Sequence, residues 1–569
     1  MARTVAIGIQ DFEKIISNNY FYIDKTNFIK EWWESADDVT LIARPRRFGK
    51  TLNMSMLETF FSNKYSNRGD LFENLNIWKD EKYMGIQGTY PVISLSFANI
   101  KEATYEMAYR KIIEILVKLY AQYEFLLDEN ILRQRDKDFY EQVTYGMDEV
   151  TASLAIQNLS DYLSRYYGKK VLIFLDEYDT PMQEAYVNGY WTEFTSFIRS
   201  LFNATFKTNP YMERAIMTGI TRVSKESIFS DFNNPAVIGT TSKMYATDFG
   251  FTEEEVFIAM DELNLTDKRG VKAWYDGFVF GDVSDIYNPW SIINYFKYQT
   301  FKTYWANTSS NSLVGKLIRE SGAKTKKLFE QLLKGETIDV PVDEQIVYKN
   351  LDTDESAIWS LLLATGYLKA LQYQSEEQSA ENQMTVFQLA ITNEEVKRMF
   401  YRMVSSWFRE AEEHYNDFIE ALLEGDLDAM NEYMEDVTLQ IFSSFDTGRK
   451  VGRSAPERFY HGFVLGLMVD MADRYIIKSN RESGRGRYDI MIYPKESGKG
   501  DAIIIEFKVK SKKKETDLEQ TVEAALRQID EKKYDEELKA LGFKEENIRK
   551  YGFAFEGKNV LIGEKQGQL

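Results

Sequence analysis

The sequence contains no cysteine and only two histidines, His414 and His461, among its 569 residues. The absence of cysteine excludes disulfides, thiolate zinc sites and cysteine nucleophiles, and two histidines leave almost no room for a Ser-His-Asp arrangement. Catalytic chemistry in this chain therefore has to use carboxylates, lysine, arginine and hard metal ions such as Mg2+.

Long apolar runs and excess positive charge are also missing. No apolar run approaches the roughly eighteen residues of a membrane helix, and the N-terminus lacks a signal-peptide pattern, so we expect a cytoplasmic protein with no membrane partner. The 89 acidic residues outnumber the 70 basic ones, which gives a net charge of -19. This charge balance argues against nonspecific binding along nucleic acid, but it is compatible with a local basic cleft.

A phosphate-binding loop is predicted at residues 44–51, between an apolar strand at 39–43 and a helix with apolar residues at helical spacing. Gly49, Lys50 and Thr51 match the end of the pattern G-x-x-x-x-G-K-[ST], whereas Arg44 stands at its first glycine. Backbone N–H groups of such a loop wrap phosphates, the lysine reaches the terminal ones and the hydroxyl binds Mg2+. The residues expected at the nucleotide are Arg44, Arg47, Phe48, Gly49, Lys50, Thr51 and Leu52.

A continuous apolar strand at 171–175 ends in Asp176 and Glu177, with Asp179 two residues further on. A buried central strand delivers carboxylates to the carboxyl edge of a parallel sheet in this way, and the pattern resembles a Walker B motif. We expect Asp176 to hold Mg2+ and Glu177 to polarise the water that attacks the γ-phosphate. An acidic strand end is common in isolation, but the preceding phosphate loop favours the catalytic interpretation.

Residues 214–222 predict a further buried strand, whose end carries Thr218, Thr221 and Arg222. In a nucleotidase, a polar residue at this position can sense the γ-phosphate and an arginine can stabilise its developing charge. We therefore add Thr218 and Arg222 to the predicted nucleotide site, although a surface ion pair explains Arg222 equally well. Strands at 90–97, 171–175 and 214–222, separated by helical segments, predict a parallel sheet.

The C-terminal part of the sequence contains a second group of carboxylates. A predicted helix that carries Glu457 is followed by strands at 488–493 and 501–509, with Asp489 on the first and Glu506 and Lys508 on the second. Glu506 and Lys508 are two residues apart and project from the same face. Two carboxylates can hold one or two Mg2+ ions beside a scissile phosphate, and a lysine can orient or activate the attacking water.

The spacing D-x16-E-x-K, with helices before and after it, resembles that of a PD-(D/E)XK nuclease core. Glu457 matches the additional acid of such cores, and Gln528 matches the polar residue of the following helix. A buried ion pair of Lys508 with Asp489 or Glu506 is the structural alternative. Basic residues surround the predicted cleft, although a solvated loop explains those at 512–514 as well: Lys478, Arg481, Arg485, Arg487, Lys510, Lys512, Lys513 and Lys514.

With these motifs the chain resembles bacterial AAA-ATPase-like proteins that carry an appended PD-(D/E)XK nuclease domain. The resemblance runs nearly end to end, and the arginine-rich form of the phosphate loop is the family's own. It rests on residues 21–26, 44–51, 175–179, 274–277, 287–290, 460–463, 479–489 and 505–508. The family architecture implies a role in defence against foreign DNA or in the biology of mobile elements.

We therefore predict a multidomain α/β protein. Its expected parts are an AAA-ATPase-like domain with a P-loop NTPase parallel sheet (1–300), a winged-helix-like region (301–395), a helical connector (396–450) and a restriction-endonuclease-like α/β core (451–569). We expect ATP binding or hydrolysis to control a Mg2+-dependent nuclease that acts on nucleic acid. DNA is the expected substrate, and the protein could assemble as a homo-oligomer. The alternative is a nucleotide-dependent assembly switch on a non-cleaving scaffold, and ATP binding without hydrolysis also stays open.

Overall fold

The computed structural model describes most of the chain. The described residues are 3–129, 131–221, 235–306, 314–315, 317–318, 321, 323–343, 357–373, 385–406, 415–435, 474–479, 482–483, 486–487, 489–495, 500–511, 515–556 and 559–564. Contacts divide the chain into two compact units: unit 1 comprises residues 1–313 and 339–395, and unit 2 comprises residues 314–338 and 396–569. The expected division into four segments stays a prediction.

A five-stranded parallel sheet lies at the centre of unit 1. Its strands are β1 (Val39–Ala43), β2 (Val92–Ser96), β3 (Val171–Asp176), β4 (Met212–Gly219) and β5 (Ala236–Ile238), in the spatial order β2-β3-β4-β1-β5. All neighbouring pairs are parallel, and every residue of β1 and β3 is buried, as their continuous apolar sequences require. The predicted P-loop type of sheet is confirmed. Strand β4 lies between β3 and β1, so its carboxyl end lies between the carboxyl ends of these two strands.

Helices connect these strands, because parallel neighbours need crossover connections. The helices up to residue 202 are α1 (Phe12–Ser17), α2 (Asn27–Ser35), α3 (Lys50–Phe61), α4 (Glu81–Met84), α5 (Tyr105–Ala121), α6 (Gln134–Gln142), α7 (Glu149–Tyr167), α8 (Thr180–Val187) and α9 (Trp191–Phe202). Helix α3 starts directly after the phosphate loop, and its N-cap residue Gly49 has a left-handed backbone with φ of +82°. A residue with a Cβ is strained in this conformation, so the glycine sets the start of the helix.

Two smaller three-stranded sheets follow between residues 251 and 391. The first has the order β6-β8-β7 and consists of β6 (Phe251–Thr252), β7 (Phe278–Phe280) and β8 (Val283–Tyr287). The second has the order β10-β11-β9 and consists of β9 (Ile338–Pro341), β10 (Leu368–Tyr373) and β11 (Val386–Ile391). The helices are α10 (Glu253–Glu262), α11 (Lys268–Tyr275), α12 (Pro289–Tyr298), α13 (Ala323–Leu333), which belongs to unit 2, and α14 (Ala357–Ala364). Residues 357–391 therefore contain a helix followed by two paired strands.

Unit 2 is built around a mixed five-stranded sheet in the order β12-β15-β16-β17-β18, in which only the described pair β16–β17 is parallel. The strands are β12 (Tyr475–Ser479), β15 (Ile490–Pro494), β16 (Ala502–Val509), β17 (Ile548–Glu556) and β18 (Asn559–Glu564), and β13 (Glu482–Ser483) and β14 (Gly486–Arg487) form a separate pair. The helices of this part of the chain are α15 (Glu394–Ser406), α16 (Tyr415–Glu424), α17 (Leu518–Lys532) and α18 (Glu536–Ala540).

Helix α17 packs on the mixed sheet through an apolar cluster that includes Ile504 of β16 and Ile529 of the helix. This α/β arrangement agrees with the predicted C-terminal core, in which a hairpin and a following helix were expected. Within the described part of the chain, no helix has both the length and the apolar composition needed to cross a membrane.

Candidate functional site

The phosphate loop holds Lys50 in a buried position at the start of α3. The Nζ atom of Lys50 donates to the backbone carbonyl oxygens of Arg44 and Pro45, both at 2.9 Å. Burial lowers the pKa of Lys50, and the nearby carboxylates of Glu177 and Asp176 oppose this shift. The ammonium group therefore lies inside the loop, close to the acids that end β3.

Thr51 and Asp176, the two residues expected at Mg2+ in this domain, are in direct contact. The hydroxyl of Thr51 donates to Oδ2 of Asp176 at 2.8 Å, and the hydroxyl of Thr218 donates to the other carboxylate oxygen, Oδ1. The backbone N–H of Glu177 donates to the same Thr218 hydroxyl at 3.2 Å. Burial raises the pKa of Asp176 against the effect of these two hydroxyl groups. Thr218, at the end of β4, thus connects Asp176 at the end of β3 to Glu177, the residue that follows it.

Glu177 and Asp179 differ in their surroundings. Glu177 is half-buried with a left-handed backbone, φ of +51°, and its Oε2 accepts from the hydroxyl of Thr180 at 3.1 Å. Asp179 is 3% exposed, and its Oδ2 accepts from the N–H groups of Ile220 and Thr221 at 2.9 and 2.8 Å. Burial raises the pKa of Asp179 against these hydrogen bonds. Asp179 therefore ties β4 to the acidic turn, and Glu177 is the more accessible of the two carboxylates.

Arg44, which was expected at the nucleotide, is held inside unit 1 by backbone carbonyl groups. Its side chain is 0% exposed, its guanidinium group donates to the carbonyl oxygens of Gly239 and Tyr245, and it lies 4.4 Å from the ring centroid of Phe280. Its backbone N–H donates to the carbonyl oxygen of Gly219 at 3.1 Å. A buried guanidinium needs several such partners, so Arg44 anchors the loop within unit 1, which argues against a phosphate contact.

Phe48 is also an anchor of the loop. Its side chain is fully buried, and its ring centroid lies 4.7 Å from that of Phe278 and 5.3 Å from that of Phe280. A contribution of Phe48 to phosphate binding is therefore limited to its backbone. Leu52 lies in the first turn of α3 and is half-buried.

Arg47 is the exposed arginine of the loop. Its backbone is left-handed with φ of +66°, and its guanidinium carbon lies 4.5 Å from the ring centroid of Trp290. The sequence motifs gave Trp290 no role in the nucleotide site. No local pattern could reveal this link, because the two segments are separated by more than 200 residues; Asn288 and Arg46, for example, are 242 apart and in contact.

Asp489 and Glu506 are brought together in unit 2 by the pairing of β15 with β16. The register pairs Ile490 with Ile505, so the next residues, Asp489 and Glu506, lie opposite each other. Oδ2 of Asp489 accepts from the backbone N–H of Phe507 at 2.8 Å, and Glu506 is only 4% exposed. The two carboxylates expected to hold Mg2+ thus lie at neighbouring positions of one sheet.

Gln528 of α17 connects Lys508 to Glu506. The Nζ atom of Lys508 donates to Oε1 of Gln528 at 2.6 Å, and Nε2 of Gln528 donates to Oε1 of Glu506. The same Nε2 lies 3.2 Å from the hydroxyl oxygen of Tyr534. The predicted carboxylate, lysine and glutamine are therefore all within one hydrogen-bonded group.

Tyr534 is a member of this group that sequence reasoning missed. It is 1% exposed, and burial raises its pKa, with a further contribution from the charges of Glu506 and Asp489. Tyr534 follows Gln528 by six residues, beyond the end of α17, so helical periodicity gives no sign that the two side chains meet. Its position depends on the turn that follows the helix.

Some predicted residues lie outside the described part of the chain. They are Arg222, Glu457, Arg481, Arg485 and the lysines at 512–514. Their roles stay predictions.

Comparison with known proteins gives two family matches. Residues 6–229 match the AAA-ATPase-like family model, described as a predicted AAA-ATPase, and residues 455–565 match the PD-(D/E)XK nuclease superfamily. A protein of Azotobacter chroococcum mcd 1, described as an uncharacterized protein in the vnfD 5' region, is 27% identical over 337 residues. This similarity spans 58% of the chain and 59% of the relative. The architecture that the sequence motifs indicated, an AAA-ATPase-like domain followed by a nuclease superfamily domain, is confirmed.

Proposed function

We propose that this chain, in which an AAA-ATPase-like domain precedes a PD-(D/E)XK nuclease superfamily domain, is an ATP-controlled, Mg2+-dependent nuclease. The observation that carries the proposal is the group formed by Asp489, Glu506, Lys508 and Gln528 in unit 2. A nuclease-like fold kept only as a scaffold would have no need of a buried carboxylate linked through an amide to a lysine.

The donor groups of unit 1 fit Mg2+ and ATP. The Thr51 hydroxyl and the Asp176 carboxylate lie 2.8 Å apart and are the hard oxygen ligands that Mg2+ prefers. Lys50 donates to two loop carbonyl oxygens, and a bound phosphate would compete for its N–H groups. We assign Glu177 to the polarisation of the attacking water, and Thr218 and Arg222 to the γ-phosphate.

The donor groups of unit 2 fit a second Mg2+ site. Asp489 and Glu506 supply oxygen ligands, and Glu506 is buried with its carboxylate next to Gln528. Bound Mg2+ supplies Lewis-acid stabilisation of the negative charge that develops on the scissile phosphate. Lys508, held by Gln528, would orient the attacking water, and Glu457 is the proposed additional acid.

The substrate and setting follow from chemistry and architecture. We propose that the substrate is nucleic acid, specifically DNA. Basic residues flank the carboxylates of an otherwise acidic chain, which supports this proposal. We place the protein in the cytoplasm, in defence against foreign DNA or in mobile-element biology, with a homo-oligomer as its proposed assembly. Nucleotide binding or hydrolysis in unit 1 would control access of nucleic acid to unit 2.

The proposal is tested by incubating the full-length protein with Mg2+ and single- or double-stranded DNA or RNA, with and without ATP. We expect cleavage that depends on Mg2+ and changes with ATP. Asp489→Ala and Lys508→Ala should abolish cleavage and leave ATP hydrolysis intact.

Lys550→Ala is the matched control, because Lys550 lies on the neighbouring strand β17 and pairs with Asp530 and Asp535. This variant should cleave like the wild type. Equal cleavage by the wild type and by Asp489→Ala would assign the activity to a contaminant. ATP binding without any cleavage would favour the alternative, a nucleotide-dependent assembly switch.

A further inference from the structure

The segment from β7 to the start of α12 contacts the phosphate loop at three consecutive residues. Arg46, Arg47 and Phe48 of the loop meet, respectively, Asn288, Trp290 and the two phenylalanines of β7. These loop residues directly precede Gly49 and Lys50 of the predicted phosphate site. The shape of the loop is therefore tied to a segment more than 200 residues away.

The side-chain amide of Asn288 contacts the start of α12 with its oxygen and the phosphate loop with its nitrogen. Its Oδ1 accepts from the N–H groups of Trp290 and Ser291 at 2.9 and 3.3 Å, which caps α12. Its Nδ2 donates to the backbone carbonyl oxygen of Arg46 at 3.3 Å. Because one amide makes both contacts, the start of α12 and the phosphate loop hold each other in place.

The aromatic face of Trp290 packs against the guanidinium group of the exposed Arg47. A guanidinium group stacked on an aromatic ring can still donate hydrogen bonds from the N–H groups at its edge, and the stack restricts an otherwise mobile side chain. Arg47 is also fixed at its backbone by the buried neighbour Phe48. An arginine restrained in this way loses less conformational freedom when it binds phosphate oxygens.

We propose that Trp290 and Asn288 are positioning residues of the nucleotide site. Trp290 orients the Arg47 guanidinium toward the phosphates of the bound nucleotide, and Asn288 fixes the loop carbonyl next to it. This inference rests on the proposed nucleotide binding by the loop and assigns a role to the segment from β7 to the start of α12.

The test measures ATP affinity by isothermal titration calorimetry in the full-length protein, in a double-mutant cycle of Trp290→Leu and Arg47→Ala. Trp290→Leu should weaken ATP binding by about two- to fivefold, the range of an exposed cation–π contact. In the Arg47→Ala background, Trp290→Leu should have no further effect, because Trp290 acts through Arg47. Trp290→Tyr, which keeps an aromatic face, should restore most of the affinity.

The chain offers a matched control for the loss of a stacked tryptophan. Trp33 stacks on Arg214, also with 4.5 Å between guanidinium carbon and ring centroid, and Arg214 lies near the amino end of β4. The phosphate loop lies at the opposite edge of this sheet, so Trp33→Leu should leave ATP affinity unchanged. An equal loss of affinity in both variants, or additive effects in the cycle, would overturn the role of Trp290.

Asn288→Asp separates the two functions of Asn288. Aspartate keeps an oxygen for the cap of α12 but places a second oxygen opposite the Arg46 carbonyl, so ATP binding should weaken. Because Asn288 is only 1% exposed, a carboxylate there also lowers thermal stability, so affinity is measured well below the unfolding temperature of the variant. Unchanged ATP affinity would refute this part of the inference. Absence of ATP binding by the wild type, or full binding by Lys50→Ala, would instead refute the proposed nucleotide site and the inference with it.

Discussion

Gln528 gives the sharpest prediction for unit 2, because a single amide contacts both Lys508 and Glu506. The substitution Gln528→Leu keeps much of the side-chain volume and removes both hydrogen bonds. We expect the Mg2+-dependent cleavage rate to fall and the Mg2+ concentration needed for half-maximal activity to rise. The rate falls because Lys508 loses its orientation, and the Mg2+ requirement rises because Glu506 loses the donor that fixes its carboxylate.

The magnitude follows from the type of hydrogen bond. A hydrogen bond to a charged group contributes about 1.5–3 kcal/mol, which corresponds to a roughly 10- to 150-fold change in rate. The effects of the two bonds will not simply add, because the three side chains act as one group. We therefore expect the cleavage rate to fall by roughly 10- to 150-fold, and not by the product of two such factors.

The assay is single-turnover cleavage of a labelled substrate over a range of Mg2+ concentrations, with thermal unfolding as a check on folding. Gln520→Leu is the matched control. Gln520 lies on the same helix and makes two hydrogen bonds to Thr516, at 3.0 and 2.8 Å, but none of its contacts involves the carboxylates described above. A wild-type rate for Gln528→Leu, or an equal loss in both variants, would refute a role for Gln528 at the cleavage site.

Three further predictions concern unit 1. Lys50→Ala should reduce ATP affinity by roughly 10- to 150-fold, the contribution of one charge-assisted hydrogen bond, as measured by calorimetry. Gly219→Ala should lower the free energy of unfolding by about 1–3 kcal/mol in denaturant titrations, because a Cβ atom there would lie 2.6 Å from the Tyr178 ring and 2.7 Å from Oδ1 of Asp179. Glu395→Gln should flatten the dependence of stability on pH between about 4.5 and 7, because burial raises the pKa of Glu395 to about 7 from an ordinary 4.5.

The direction of the Glu395 effect follows from the raised pKa. The folded state favours the protonated acid, so the contribution to stability is fully present below pH 4.5 and is lost as the pH rises through about 7. The difference reaches at most about 3 kcal/mol. Glutamine can still accept from the backbone N–H of Trp305 and donate to the Ser291 hydroxyl, which Glu395 now accepts from, and it does not titrate.

Each of these predictions has an outcome that contradicts it. Unchanged ATP affinity of Lys50→Ala would remove the phosphate-loop assignment. Wild-type stability of Gly219→Ala would mean that Asp179 can move without cost. A Glu395→Gln variant with the same pH profile as the wild type would show that Glu395 is ionised throughout the range.

The elements that carry the candidate sites were predictable from local sequence. The order of strand, Gly49-Lys50-Thr51 and helix sets the start of α3, because a left-handed glycine and exposed N–H groups are local properties of the chain. The apolar run before Asp176 is that of a strand buried on both faces. The two-residue spacing of Glu506 and Lys508 places both on one face of β16, whatever the remainder of the fold.

Sequence alone therefore determined which residues could bind phosphate and metal ions, and on which elements they lie. Tertiary structure decided which of them meet and which serve as anchors. It buries Arg44 among backbone carbonyls, brings Trp290 onto Arg47 and adds Tyr534 to the group around Gln528. These contacts join residues that share no local periodicity, and their energy comes from packing and burial, which depend on the folded chain as a whole.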